Sequence, residues 1–152
     1  MLKKRLIPCL IVKDGFIVQS FNFKRYLPIG RAKTAVEFVT NWDVDEIFLV
    51  DITATKDHRK PDLELIKSAS EHCFVPLTVG GGIHSLSDIR DVMHSGADKI
   101  SINSEALNNP GFITESSNVY GSQCVVVSID VKLNSKGEYE VVGDSGRRFT
   151  DL

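Results

Sequence analysis

The chain has 152 residues, of which 42% are hydrophobic and 25% are charged, and its formal net charge is −2. This composition is typical of a globular domain and excludes a disordered or fibrous chain. The sequence has no basic stripe with interleaved aromatic residues, which argues against nucleic acid as a partner. No apolar run approaches the roughly 18 residues of a membrane span. We therefore expect one soluble, cytoplasmic domain over residues 1–152, with no membrane association.

The N-terminal segment up to Val12 combines basic residues with a short apolar run, as a signal peptide does. Pro8 interrupts the run and no small-residue cleavage site follows, so we interpret the segment as a buried first strand. The cysteines Cys9, Cys73 and Cys124 are odd in number and far apart, which is typical of a reduced cytoplasmic protein. Because neither they nor the histidines have metal-ligand spacing, we expect neither a metal nor a cofactor.

Strand and helix patterns alternate along the chain. Short apolar runs predict strands, and apolar residues at helical spacing predict helices between capping residues and glycine. The predicted elements are a strand Leu6–Val12, a ribbon Phe16–Phe23, a helix Ala32–Trp42, a strand Glu46–Asp51, a helix from Pro61 to about His72, a strand Val75–Val79, a helix from Ser85 to about His94, a strand Lys99–Ile102, a helix Pro110–Val119, a strand Gln123–Asp130, and a polar hairpin of Tyr139–Val142 with Arg147–Phe149. Of these strands, Gln123–Asp130 has the strongest pattern.

Continuous apolar strands separated by helices imply an α/β fold with a parallel sheet. A doubly wound sheet and a (β/α)8 TIM barrel both fit the alternation. The barrel is favoured because polar residues follow nearly every strand, where barrel active sites form, and because no GxGxxG motif opens the first βα turn. A complete barrel has eight such units in about 250 residues. The five strands here predict the N-terminal part of a barrel, which is incomplete and has an open edge.

Gly80-Gly81-Gly82 directly follows a predicted strand. Glycines let backbone N–H groups approach an anion closely, and the helix that follows adds its N-terminal dipole. A tight strand-to-helix turn would use the same glycines without any ligand. Asn103 and Ser104, at the end of the next strand, could donate to the same anion, although both are ordinary turn residues.

Five charged residues lie near predicted strand ends. Asp51 and Asp130 end apolar strands, where a carboxylate is a natural general acid or base, with helix capping or loop solvation as the alternative. Arg5, Glu46 and Lys99 lie near the starts of strands and would cluster at the opposite face of a barrel. Structural salt bridging is the ordinary interpretation there. A ring of charges around a pore mouth is the alternative.

Six ordered stretches resemble the cyclase subunit of imidazole glycerol phosphate synthase. They are Lys4–Leu10, Val12–Gly15, Asp45–Ala54, Pro76–Ile83, Gly96–Ser104 and Gly121–Asp130. Together they cover essentially the whole chain. A histidine-pathway isomerase of the same superfamily is similar but matches less well.

The resemblance implies a (β/α)8 barrel with twofold internal repetition and a lyase activity in histidine biosynthesis. In that reaction, ammonia from a glutaminase partner joins a bis-phosphorylated substrate, phosphoribulosyl formimino aminoimidazole carboxamide ribotide. The products are imidazole glycerol phosphate and aminoimidazole carboxamide ribotide. The two phosphates of the substrate bind at opposite sides of the barrel mouth.

The resemblance also implies roles for individual positions. Gly82, Asn103 and Ser104, with Gly81 beside them, match the first phosphate site. Asp130 matches one catalytic carboxylate, and Asp51 matches a strand-end acid that contacts substrate. Arg5, Glu46 and Lys99 match three members of the charged gate through which ammonia enters. The second phosphate site and the fourth gate residue would lie beyond residue 152.

Two positions depart from the family pattern: Ile11 stands where the other catalytic Asp belongs, and Gln19 where a lysine is expected. Isoleucine cannot transfer a proton, and loss of a general acid or base typically costs about 10²–10⁴ in rate. Whether the chain is an active enzyme therefore stays open. One alternative is a related subunit that uses channelled ammonia to amidate a surface-polysaccharide sugar. Another is a non-catalytic, phosphate-binding half-barrel that self-associates.

Overall fold

The computed structural model describes residues 3–22, 24–143 and 146–152. The chain divides into two compact units, one ending at Ile100 and one spanning Ser101–Leu152. The strands are β1 (Cys9–Lys13), β2 (Phe16–Phe21), β3 (Arg25–Arg31), β4 (Ile47–Asp51), β5 (Leu77–Gly80), β6 (Lys99–Ile102), β7 (Val125–Val127), β8 (Val131–Leu133), β9 (Tyr139–Gly143) and β10 (Arg148–Phe149). The helices are α1 (Ala32–Thr40), α2 (Leu63–Ser70), α3 (Leu86–His94), α4 (Ser104–Asn108) and α5 (Gly111–Tyr120).

The sheet of the first unit is parallel at its centre. β1 pairs in parallel with β4, and β4 pairs in parallel with β5, so their carboxyl ends meet at one edge. An antiparallel hairpin of β2 and β3 extends the sheet on the other side of β1. Asp14 and Gly15, at φ 51° and 80°, form the two-residue turn into β2, as such turns require positive φ at both positions. This is the ribbon that the sequence predicts; Phe23 lies outside the described residues.

One face of this sheet is buried against helices. Leu49 and Val79 are register partners and, with Val12, they line a small cavity together with Ile66 of α2. Ile89 of α3 is also fully buried. Since side chains alternate between the two faces of a strand, this helix-facing row contains Val12, Leu49 and Val79. The intervening residues of the three strands point to the opposite face.

The helix boundaries follow from capping. Ser85 accepts a hydrogen bond from the backbone N–H of Asp88 at 3.2 Å, and Gly96, at φ 105°, follows the end of α3. The helix N-cap at Ser85 and the glycine stop that the sequence predicts are confirmed. Pro61 does not open α2: the Asp62 carboxylate accepts the Leu65 N–H at 3.0 Å and caps a helix that starts at Leu63.

The second unit contains α4, α5 and two groups of strands. β7 follows a single 3₁₀ turn at Ser122–Cys124, and the Ser128 N–H donates to Ile102 O at 2.9 Å. A separate antiparallel sheet has the order β10-β9-β8, with Val131 opposite Val141 and Phe149 opposite Val142. The predicted polar hairpin is therefore present as β9 and β10, and β8 adds a third strand that the sequence pattern did not indicate.

The prediction of a long strand over Gln123–Asp130 was wrong. Only Val125–Val127 is a strand, because residues 122–124 form the 3₁₀ turn and no strand pairs with the other side of β7 among the described residues. An apolar run indicates that a segment prefers to be buried. A strand also needs a neighbouring strand to pair with its backbone N–H and C=O groups. The mixed α/β fold with a parallel sheet is confirmed. No helix of the described ranges has the length and apolar character to cross a membrane.

Candidate functional site

The glycine turn after β5 is shaped by the backbone that lies against it. Gly81 and Gly82 have φ values of 105° and 72°, which L side chains rarely adopt. A Cβ on Gly81 would lie less than 3.0 Å from the carbonyl oxygen of Asp51, and one on Gly82 would lie 2.6 Å from Arg59 O. The turn therefore requires glycine at both positions for its packing alone. Glycine also lets a backbone approach an anion closely, so the packing does not decide between the two interpretations.

Asp51 organises the loop between β4 and α2, which spans residues 52–62. Its Oδ1 accepts hydrogen bonds from Thr53 N at 2.9 Å, Thr53 Oγ1 at 2.8 Å and Ala54 N at 3.1 Å. Its Oδ2 accepts from Arg59 Nη2 at 2.6 Å. Asp51 is in register with Val12, on the helix-facing row. The geometry thus shows a loop-capping carboxylate, and the substrate contact remains a prediction.

Arg59 closes the same loop. Besides Asp51, its Nη2 donates to Thr53 Oγ1 at 2.8 Å, and its backbone N–H donates to Ala54 O at 3.0 Å. The hydrogen bond to Asp51 raises the pKa of the Arg59 guanidinium above its usual value. A permanently charged guanidinium is suited to hold a carboxylate in a fixed geometry.

The opposite face of the sheet carries the row that a barrel would turn inward. Ile11 is in register with Val50, and Val50 is in register with Gly80. Both Ile11 and Val50 are half-buried, and Gln19 in β2 is exposed. At the position where the resemblance implies a carboxylate, this row is therefore apolar from β1 to the glycine turn.

In the second unit, Asn103 and Asp130 lie together. The Asn103 side-chain amide donates to Asp130 Oδ2 at 3.2 Å and to Ser128 O at 3.1 Å. Ser104 is the first residue of α4. The Asp130 carboxylate is exposed and oriented by an amide donor. This arrangement can present a carboxylate to a ligand, as general acid–base chemistry requires.

The charged trio predicted near the strand starts forms one cluster within the first unit. Lys99 Nζ lies 2.6 Å from Glu46 Oε2, Arg5 Nη1 lies 3.5 Å from the same oxygen, and the Thr78 hydroxyl donates to Glu46 Oε1 at 2.6 Å. Glu46 is 5% exposed. Burial by itself raises the pKa of Glu46, but the hydrogen bonds from Lys99 and Thr78 and the nearby positive charges lower it overall. The clustering is observed; its role as an ammonia gate is still a prediction.

The predicted phosphate site draws on both units. Gly81 and Gly82 belong to the first unit, and Asn103 and Ser104 to the second. Each pair lies directly after a strand, β5 and β6 respectively, as the sequence indicates. A common anion between the two pairs stays a prediction.

Sequence reasoning missed the residues that hold these groups in place. Thr53, Thr55, Arg59 and Thr78 have side-chain bonds to predicted site residues, and Ser128 accepts from Asn103 through its carbonyl. Only the polar composition of the 53–60 segment hinted at such a role. No group of three His, Cys, Asp or Glu side chains that could hold a metal ion is present in the part of the chain that the structure describes.

Comparison with known proteins identifies the family. The model of the family described as histidine biosynthesis protein matches residues 5–152. A protein of Vibrio vulnificus (strain YJ016), provisionally named imidazole glycerol phosphate synthase subunit hisF2, is 55% identical over 130 residues, which cover 86% of this chain and 48% of the relative. The imidazole glycerol phosphate synthase subunits HisF of Alkaliphilus metalliredigens (strain QYMF) and Exiguobacterium sp. (strain ATCC BAA-1283 / AT1b) are 43% and 42% identical over 152 residues.

These matches establish the class of protein. A parallel α/β chain with polar groups at its strand ends, matched over nearly its full length, belongs to the histidine biosynthesis protein family. More narrowly, it resembles the imidazole glycerol phosphate synthase subunits, as the sequence motifs indicated. The chain spans 48–60% of the length of these relatives.

Proposed function

We propose that the chain provides the N-terminal part of a (β/α)8 barrel, as one domain over residues 1–152, in a cytoplasmic cyclase subunit of imidazole glycerol phosphate synthase. The activity is that of a lyase in histidine biosynthesis. Its substrate is the bis-phosphorylated ribulosyl aminoimidazole carboxamide ribotide, and ammonia comes from a glutaminase subunit. The likeness to subunits of that synthase over the whole chain supports this assignment.

The observation that carries the proposal is the exposed Asp130 carboxylate held by the Asn103 amide after consecutive strands. In the proposed site, Gly81 contributes a backbone donor to one phosphate of the substrate and Gly82 lets the turn approach it closely. The resemblance to the family assigns Asn103 and Ser104 to the same phosphate. Asp130 then exchanges a proton with the reacting part of the substrate. Placing binding and proton transfer on adjacent strand ends is the usual arrangement of a barrel active site.

Ammonia delivery is assigned to the opposite ends of the strands. The cluster of Arg5, Glu46 and Lys99 lies at the starts of β1, β4 and β6, away from the glycine turn. We infer that the glutaminase binds at this face and that the ion pairs control passage of ammonia. The buried Glu46 holds both cations by one oxygen, so a change in either pair would alter the other.

A second candidate function follows from Ile11. Ile11 and Val50 make this row apolar, so the strand-end face has Asp130 but not the second carboxylate that the family resemblance implies. The glycine turn and the charged cluster are intact. This combination favours ammonia transfer to a different acceptor, such as a sugar of a surface polysaccharide. Both candidates keep an anion site at the glycine turn.

We expect the full chain to bind the bis-phosphorylated ribulosyl substrate saturably in isothermal titration calorimetry, with competition from excess inorganic phosphate. Asn103→Asp places a second carboxylate beside Asp130 and the phosphate, and we expect it to weaken binding about tenfold or more. Asn41→Asp is the matched control, because Asn41 is exposed at the C-terminal end of α1 and the substitution introduces the same charge there. Absence of binding by the unaltered chain would refute the proposed cyclase substrate.

A further inference from the structure

The hydroxyl of Thr55 is hydrogen-bonded to the glycine turn. Thr55 Oγ1 accepts a hydrogen bond from the backbone N–H of Gly82 at 3.2 Å. A hydroxyl that accepts in this way still has its own proton to donate. Among the described residues, this hydroxyl donates no hydrogen bond, and Thr55 is only half-buried. One donor is therefore available to a ligand at this point.

The position of Thr55 is fixed from both sides of its loop. Asp57 N donates to Thr53 O at 2.9 Å and His58 N to Thr55 O at 3.2 Å, which makes the segment a compact series of turns. The ion pair of Asp51 with Arg59 joins the two ends of this segment at 2.6 Å. Holding the loop before a ligand arrives lowers the entropy cost of binding.

The loop and the glycine turn are also in contact through their backbones. A Cβ on Gly82 would lie 2.6 Å from Arg59 O and 2.9 Å from Ala54 Cβ. Gly82 is thus packed against the same loop that contains Thr55. A ligand bound at the turn would meet the loop as part of the same surface.

We propose that Thr55 is a further ligand-binding residue for the phosphate monoester at the glycine turn. Its hydroxyl, oriented by the Gly82 N–H, donates its proton to a phosphate oxygen. Asp51 and Arg59 are positioning residues that hold Thr55 in place. This inference rests on the proposed anion site at the glycine turn and adds the 53–60 loop to it.

The bond between Thr55 and Gly82 also allows the opposite role, in which the Thr55 hydroxyl competes with phosphate for the Gly82 N–H. If the Gly82 N–H were the donor to phosphate, the Thr55 hydroxyl would have to leave before an anion could bind. The two roles make opposite predictions for Thr55→Val, which keeps the shape of the side chain and removes the hydroxyl. Loss of the donor weakens binding, and loss of a competitor strengthens it.

The test measures binding of inorganic phosphate and of glycerol 3-phosphate to the full chain by calorimetry, for the unaltered protein, Thr55→Val and Thr55→Ser. We expect Thr55→Val to raise both Kd values about tenfold, as loss of one hydrogen bond to a charged group does. Thr55→Ser, which retains the hydroxyl, should stay within about twofold of the unaltered protein. An unchanged or lower Kd for Thr55→Val overturns the proposal.

A phosphate titration of the unaltered chain, followed by the chemical shifts of its backbone amides in NMR, tests the proposal without any variant. We expect the Thr55 and Gly82 resonances to shift together with added phosphate, while that of Gly96, which follows α3 and precedes the start of β6, does not. Shifts at Gly82 without Thr55 would overturn the role of Thr55 and leave the glycine-turn site standing. Absence of any phosphate binding would overturn the site itself, and with it this inference.

Discussion

Gly81→Ala is expected to lower the free energy of unfolding by about 3–5 kcal/mol. A residue with a side chain at φ 105° costs about 1–3 kcal/mol of backbone strain. The added Cβ would also meet the Asp51 carbonyl, which belongs to the backbone of β4 and cannot turn aside as a side chain could. Urea or thermal unfolding followed by circular dichroism measures the effect.

Gly15→Ala is the matched control for this substitution. Gly15 also has a positive φ, of 80°, in the same unit, but an added Cβ there would have nothing within 4 Å. Only the conformational cost remains, and we expect a loss of about 1 kcal/mol. Equal effects of the two substitutions would show that the close approach of Asp51 to the glycine turn is wrong.

Lys99→Met is expected to destabilise the protein by about 2–3 kcal/mol. The substitution removes the 2.6 Å ion pair and leaves Glu46 buried, with Thr78 and the more distant Arg5 as its remaining partners. Breaking a buried ion pair on one side costs about 3–5 kcal/mol, and these two partners reduce that cost. Lys33→Met, at an exposed position of α1, should change stability by less than about 0.5 kcal/mol.

The pH dependence of stability gives an independent check on Glu46. Its folded-state pKa is lowered from the ordinary value of 4.5. The carboxylate therefore contributes stability above that value, and the contribution is lost as the pH falls through the lower folded-state pKa. In Glu46→Gln/Lys99→Met this acid-side loss should shrink, and the double variant should be more stable than Lys99→Met alone. A double variant less stable than Lys99→Met would contradict the ion-pair interpretation.

The elements that the sequence predicted well are those with local signals. The box of Ser85 with Asp88 defined the start of α3, and alternating apolar character defined the hairpin after Gly15. The predicted extent of the strand Gln123–Asp130 was wrong because the length of a strand depends on its partner strands, which no local pattern indicates. Pro61 misplaced the start of α2 because the Asp62 carboxylate outweighed the preference of proline for a first helical turn.

The sequence predicted which residues form the candidate site, but it did not predict their hydrogen-bond partners. Carboxylates and glycines after strands pointed to Asp51, Asp130 and the glycine turn from the sequence alone. The pairing of Asp51 with Arg59 depends on a loop whose path has no periodic pattern, so it could not be predicted. The same holds for the bond between Thr55 and Gly82, which joins residues 27 positions apart.

We propose that this chain retains the binding elements of a cyclase subunit and, with Ile11, lacks one of its proton-transfer groups. The most direct measurement is ammonium-dependent turnover of the ribulosyl substrate by the full chain, Ile11→Asp and Ile11→Asn. We expect Ile11→Asp to raise the rate about 10²-fold and Ile11→Asn, which has the same shape without a carboxylate, to leave it unchanged. Turnover by the unaltered chain at an ordinary enzyme rate, about 1–10³ s⁻¹, would contradict the role assigned to Ile11.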